Sequence, residues 1–201
     1  MESIIREVTN SVNKRADSRN HEEKPIIIAI DGRCGSGKTT LAAGLKEKNG
    51  WRVFHMDDFF LRPEQRTEER FAKPGGNVDH ERFLEEILLP LQNGVQTICY
   101  RPFDCRRQDF AETVTVTAGA VNIVEGSYSC HPALWDAYDL RVFLDVTEAE
   151  QERRILLRNG KDRAKMFKER WIPLEERYFE AYRIKERCEL CFRTDDGTQA
   201  G

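Results

Sequence analysis

Apolar positions recur along the chain in two periods. Ile4, Ile5, Val8 and Val12 fall at helical spacing, which predicts an amphipathic N-terminal helix. The polar run from Ala16 to Lys24 reads as a linker. Pro25-Ile26-Ile27-Ile28-Ala29-Ile30 is continuous rather than alternating, the pattern of a strand covered on both faces. A helix from about Lys38 to Lys48 follows, stopped by Asn49-Gly50. Trp51 to His55 predicts a second strand, and the polar stretch Asp58 to Val78, rich in Arg, Glu, Pro and Gly, predicts a loop or mobile excursion. Asp79 to Leu91 has helical spacing, with Phe83, Leu84, Ile87, Leu88 and Leu91 on its buried side.

Gln96 to Phe103 and Glu112 to Thr117 alternate and are expected to pair as a hairpin. Val121 to Val124 and Leu140 to Leu144 are two further short strands. Thr147-Glu148-Ala149-Glu150 has the capping-box pattern and opens a helix that Gly160 ends. Ala164 to Arg187 predicts a long helix with a bend at Pro173, and Cys188 to Phe192 a last strand. Strands alternating with helices point to an α/β fold with a mainly parallel sheet.

At 201 residues the chain is expected to form one domain, given ~150 residues per domain. Residues 1–24 are then an N-terminal helix and linker and 25–193 the core. Charged residues make up 33% of the chain, yet the net charge is only −3. Without a basic excess, a nucleic-acid polymer is not an expected partner. No apolar run approaches the ~20 residues that cross a bilayer, and MESIIREVTN lacks the apolar core of a signal peptide. Six cysteines without an export signal read as reduced thiols of a cytoplasmic protein. Cys188 and Cys191 form a lone CxxC, expected to pack rather than bind metal. Nothing in the composition sets the oligomeric state, and a homo-oligomer is admissible.

Between the first strand and its helix lies Gly32-Arg33-Cys34-Gly35-Ser36-Gly37-Lys38-Thr39, which fills every fixed position of G-x-x-x-x-G-K-[ST]. Glycines there let consecutive amides turn inward onto phosphate oxygens, and the helix behind adds its positive end. Lys38 is placed to neutralise β/γ-phosphate charge, Thr39 to ligate Mg²⁺, and the amides from Asp31 to Thr40 to grip a triphosphate. Such a loop fixes nucleotide binding but not the acceptor. A GTPase would need N-K-x-D, and Asn13-Lys14 meets Asp17 one residue too late. A remodelling ATPase would need more chain.

A small-molecule kinase needs an acid beside the γ-phosphate and cations over it. Asp57, in His55-Met56-Asp57-Asp58-Phe59-Phe60, stands at the carboxyl end of a strand, where α/β sheets bind ligands. It is either a base for a hydroxyl or a cap of the next segment. Glu125, ending the apolar strand from Val121, is either a Mg²⁺-shell acid or a solvated strand-end residue. Arg154 and Arg158 share a helix face with Arg153 nearby, and are lid cations or a solvated surface.

With these pieces placed, the chain resembles the uridine kinase-like family, within the wider phosphoribulokinase, pantothenate kinase and nicotinamide riboside kinase group. GRCGSGKTT, HMDDFF, NVDHERF, TVTVTAGAVNIVEGSYS, YDLRVFLDV and ERRILLRNG carry the likeness, from about residue 25 to 193. The resemblance implies a P-loop kinase fold: five parallel strands flanked by helices, a β-hairpin insertion over the acceptor and an Arg-bearing lid. It implies ATP as donor and Mg²⁺ as cofactor. It matches Asp57 to the catalytic base, Thr39 and Glu125 to the Mg²⁺ shell, and Arg154 and Arg158 to lid cations. Asp79 matches an acid that holds sugar hydroxyls, with a helix N-cap as its local alternative, and Tyr100 matches an aromatic near the nucleoside base. The implied acceptor is a nucleoside such as uridine or cytidine. Nicotinamide riboside, pantothenate or another hydroxyl compound are the alternatives, and a nucleotide-binding regulator without turnover is the reading from a different class. One departure stands out. Uridine kinases carry a His a few residues beyond the Tyr, whereas Tyr100-Arg101-Pro102-Phe103-Asp104-Cys105-Arg106-Arg107 has none. Its arginines face an anionic acceptor or solvent. The N-terminal helix lies outside the resemblance.

Overall fold

The computed structural model describes residues 1–19 and 24–195. Helix α1 spans Glu2–Ser18 and so takes up the start of the expected linker, while residues 20–23 of that linker lie outside the described residues. Strand β1 (Ile26–Gly32) leads through the glycine-rich turn into α2 (Lys38–Asn49). Strand β2 (Arg52–His55) ends in a 3₁₀ turn, Met56–Phe59.

The stretch expected to be a loop or mobile excursion is structured. It holds a 3₁₀ turn, Pro63–Gln65, and the short helix α3 (Glu68–Ala72). Arg70 closes it, donating to the carbonyls of Gly76 and Val78, each at 2.8 Å. A polar sequence with Gly and Pro gives no apolar period, but one guanidinium can still satisfy the carbonyls of a closed loop. Asp79 caps α4 (His80–Phe83), which runs through a π-helical stretch, Leu84–Leu88, into α5 (Leu89–Gln92).

Strands β3 (Thr97–Tyr100) and β6 (Val114–Thr117) form the expected antiparallel hairpin, with β4 (Phe103–Asp104) and β5 (Asp109–Phe110) paired towards its tip. Then come β7 (Val121–Glu125), a 3₁₀ turn at Pro132–Ala137, and β8 (Leu140–Asp145). Helices α6 (Glu148–Met166), α7 (Ile172–Tyr182) and α8 (Ile184–Arg187) precede β9 (Leu190–Arg193). The main sheet has order β2-β7-β1-β8-β9, with every neighbour parallel.

The unalternated run in β1 follows from this topology. Ile26, Ile28 and Ile30 join α1 and α2 in one apolar cluster. Ile27 and Ala29 face the other way, into a cluster with Phe54, Phe83 and Val124. Successive side chains point to opposite faces, and both faces are covered.

Two helix expectations are refined. Thr147 does precede α6, but no capping box forms, because Asp195 accepts both the Thr147 backbone N–H at 2.8 Å and its hydroxyl at 3.0 Å. A charged acceptor from the end of the sheet displaces the local one. Gly160 interrupts α6 with φ 76 and ψ 172, as expected of a stop. The bend expected at Pro173 is taken up just before it, by a π-helical turn at Phe167–Trp171. Pro90 likewise follows the π-helical Leu84–Leu88. A proline lacks the N–H that continues the ladder, and a wider turn before it absorbs the loss. No helix among the described residues is long and apolar enough to cross a membrane.

Gly32 marks the point where β1 meets the glycine-rich turn. Its φ is +135, and a Cβ there would collide with the Leu144 carbonyl of β8. Gly32→Ala is therefore expected to destabilise the fold by at least ~2 kcal/mol and lower the thermal midpoint by roughly 4–8 °C, read by calorimetry. An unchanged midpoint would contradict the close strand approach.

Candidate active site

The strand ends β1, β2 and β7 deliver the loop, Asp57 and Glu125 to one edge of the sheet. Gly35 and Gly37 hold φ of +77 and +93, so the loop turns as its glycines allow. Lys38 is buried, and its ammonium donates to the carbonyls of Gly32 at 2.6 Å and Arg33 at 3.0 Å. A cavity of about 1510 Å³ opens above, and Lys38, Thr39, Thr40, Asp57, Glu125, Arg154 and Arg158 all line it.

Glu125 is almost fully buried. The Thr39 hydroxyl stands 3.4 and 3.3 Å from its two oxygens. His55 Nδ1 is 2.6 Å from Glu125 Oε1. The pairing is set by the sheet, since His55 and Glu125 are register partners across β2 and β7. That hydrogen bond, more than any other influence, raises the His55 pKa above the ordinary imidazole value, and burial works against it.

Asp57 sits in the 3₁₀ turn after β2 and is open to the cavity. Confinement among protein atoms pushes its carboxyl above the usual aspartate range, Lys38 pulls it down, and Glu125 and Glu175 push it up. Glu175, on α7, reaches across to the loop. It accepts from the Cys34 backbone N–H at 3.0 Å and from the Ser127 hydroxyl at 2.5 Å. The other loop side chains turn outward or inward: Arg33 pairs with Glu176 at 3.0 Å, while Cys34 and Ser36 are buried.

Arg154 and Arg158 both line the cavity. Arg154 donates to the Gly35 carbonyl at 3.1 Å and pairs with Glu150 at 2.7 Å. Arg158 donates to Asn159 at 2.9 Å. Asp79 and Tyr100 stand behind the cavity wall. Asp79 is 2% exposed and takes the local alternative, accepting from the Arg82 N–H at 3.2 Å as an N-cap and from Gln65 at 2.9 Å. The Tyr100 hydroxyl donates to Asp58 at 3.0 Å, and its ring stacks on Phe59. Either would reach a ligand only with Gln65 or Asp58 displaced.

Sequence reasoning missed His55 and Glu175. His55 lies inside the HMDDFF segment, but only strand register shows that it faces Glu125. Glu175 carries no local signal, being one of many acids on a charged helix.

No protein-family model matches the chain. It is similar to the uridine kinase of Deinococcus deserti, 29% identical over 157 residues that cover 71% of this chain and 72% of the relative. Among solved structures, D-glycerate 3-kinase of Cryptococcus neoformans superposes with a TM-score of 0.67 at 19% identity, over 96% of this chain and 94% of that one. A candidate fructose transport system kinase of Silicibacter sp. TM1040 gives 0.69 at 24%, over 94% and 98%. The chain is similar to uridine kinases in sequence, and its fold is that of these P-loop kinases. These likenesses support a phosphotransferase with a hydroxyl acceptor.

The His55–Glu125 contact can be measured directly. A histidine-resolved NMR titration is expected to place the His55 pKa above that of free imidazole. In Glu125→Gln the hydrogen bond and the charge of that partner are gone, while burial still lowers the value and Asp57 and Asp58 still raise it, so the pKa should fall below that of the unaltered protein. An identical titration in both proteins would disprove the contact.

Proposed function

We propose that the protein is an ATP-dependent kinase that moves the γ-phosphoryl group to a hydroxyl of a small molecule. The observation that carries this is convergence. The phosphate loop, Asp57 and the Thr39–Glu125 pair open onto one cavity, with Arg154 and Arg158 over it. Phosphoryl transfer needs positioning and charge neutralisation more than covalent help.

Each residue then has a task. The loop amides and Lys38 hold the triphosphate. Asp57 accepts the acceptor's proton as the hydroxyl oxygen forms its bond to the γ-phosphorus and the bond to the bridging oxygen of ADP breaks. Its raised pKa makes it a stronger base than an ordinary aspartate. Arg154 and Arg158 meet charge on the transferring oxygens. His55 is a positioning residue that fixes the Glu125 carboxylate.

Among the described residues no group of three or more His, Cys, Asp or Glu is placed to hold a metal by itself. Mg²⁺ asks for less, taking one or two protein oxygens and the rest from phosphate and water. The Thr39 hydroxyl and Glu125 carboxylate are hard oxygen donors that fit it, and they would hold it beside the loop. Bound there, it would neutralise phosphate charge.

A nucleoside of the uridine or cytidine type is the acceptor that the relatives' names favour. A second reading rests on Arg66, which lines the cavity. Its guanidinium is held by neutral acceptors, the Leu61 carbonyl at 2.8 Å and Gln108 at 2.6 Å. Its charge is left to meet an anionic group on the acceptor, as the nearby Arg106 could also do.

The test is ADP release across a panel of neutral and anionic hydroxyl compounds. Acceptor-dependent ADP is expected, and its absence with every compound would favour a regulator without turnover. In Asp57→Asn, turnover should fall at least ~10²-fold while ATP still binds. The base acts deprotonated, so kcat/KM should rise with pH through the Asp57 pKa. That acid limb should lie above the ordinary aspartate value and vanish in the variant.

A further inference from the structure

The first turn of α1 borders the same cavity. Met1, Ser3 and Ile4 line it together with Gly37 and Thr40. Met1 Cε lies 3.4 Å from where a Cβ on Gly37 would stand. The helix is fixed from behind. Val8 and Val12 share an apolar cluster with Leu41, Ala42 and Leu45 of α2. Thr9 accepts from Asn49 at 3.1 Å, and Arg15 donates to the Asp139 carbonyl at 2.9 Å. These contacts leave the first turn little freedom to swing away.

The orientation of a bound nucleotide follows from the chemistry at the other end. The γ-phosphate must lie by Asp57 and Glu125, because the hydroxyl is deprotonated there. The triphosphate tail then runs along the loop past Lys38 and Thr39 to Thr40. Sugar and base must extend beyond Thr40, away from Asp57. In that direction the cavity has two walls. One is the first turn of α1. The other is the end of β9 and the residue that follows it, with Phe192 and Thr194, tied to the loop by Thr194 donating to the Ser36 carbonyl at 2.7 Å and by Arg154 on Gly35.

We propose that α1 forms one wall of the subsite for the base of the donor nucleotide, a purine. The Met1 thioether and Ile4 offer a polarisable apolar surface to a ring face. Phe192 and Ser3 line the same cavity, adding an aromatic ring and a hydroxyl to that surface. The role rests on the phosphate-loop reading above and gives α1 a purpose beyond covering the sheet.

Two measurements on the full chain test this. Photolysis with 8-azido-ATP, whose azide is on the base, should label the tryptic peptide Met1 to Arg6, and excess ATP should suppress the label. Label confined to other peptides would overturn the assignment. Ser3→Leu fills the subsite without adding a stacking face. It is expected to weaken ATP binding by about tenfold in calorimetry and to leave inorganic tripolyphosphate binding unchanged. Glu7→Leu, on an exposed position of α1 outside the cavity, should bind both as the unaltered protein does. Unchanged ATP affinity in Ser3→Leu, or an equal loss of tripolyphosphate, would overturn the wall while leaving the kinase reading intact. Failure of the unaltered protein to bind either ligand would overturn the phosphate loop as well.

Discussion

A single buried carboxylate joins the three parts that the site needs. Asp31 is fully buried at the end of β1. It accepts from the Gly32 N–H at 2.7 Å, the Tyr128 N–H at 3.1 Å, the Cys130 N–H at 2.9 Å and the Tyr178 hydroxyl at 2.9 Å. Those donors belong to the phosphate loop, the segment after β7, and α7. Burial pushes the Asp31 carboxyl up to about 6, and the donors together with Lys38 pull against that rise. An unmade hydrogen bond at such a place costs ~1–3 kcal/mol for each group left unpaired. The cluster therefore holds or fails as a unit.

The rest of the site inherits its geometry from that junction. Tyr178 fixes α7, and Glu175 lies one turn earlier on the same helix. Glu175 can reach the Cys34 amide because Asp31 has already drawn the helix onto the sheet edge. Parallel strands do the remaining placement. The carboxyl ends of β1, β2 and β7 fall side by side, so loop, Asp57 and Glu125 arrive together without any one segment being long.

Local features of this arrangement are legible in the chain itself. The glycine spacing of the loop, the unalternated β1 and the alternating halves of the hairpin each encode their own conformation through φ freedom, two-sided burial or one-sided burial. What depends on pairing is not legible. His55 faces Glu125 because of a register between strands about 70 positions apart. Thr147 is capped by Asp195 rather than by its own neighbour. Asp79 matched both a ligand contact and an N-cap in the sequence. Only the position of Gln65, which shields its second oxygen, separates the two.

The charges in the cavity explain why this edge is suited to a polyphosphate. Asp57, Glu125 and Glu175 crowd it with negative charge, and each of the last two helps raise the Asp57 pKa. Lys38 answers them while bonded to two neutral carbonyls. A phosphate oxygen would replace a neutral acceptor by an anionic one, adding direct charge attraction to a hydrogen bond the ammonium already makes. A triphosphate entering alone would add to the acidic crowding. Entering with a divalent cation, it would bring counter-charge beyond what His55, when protonated, gives Glu125. Under the proposed function, binding of nucleotide and cation would be coupled through Glu125 and Glu175, the two acids that also raise the Asp57 pKa, with Arg154 and Arg158 completing the charge balance.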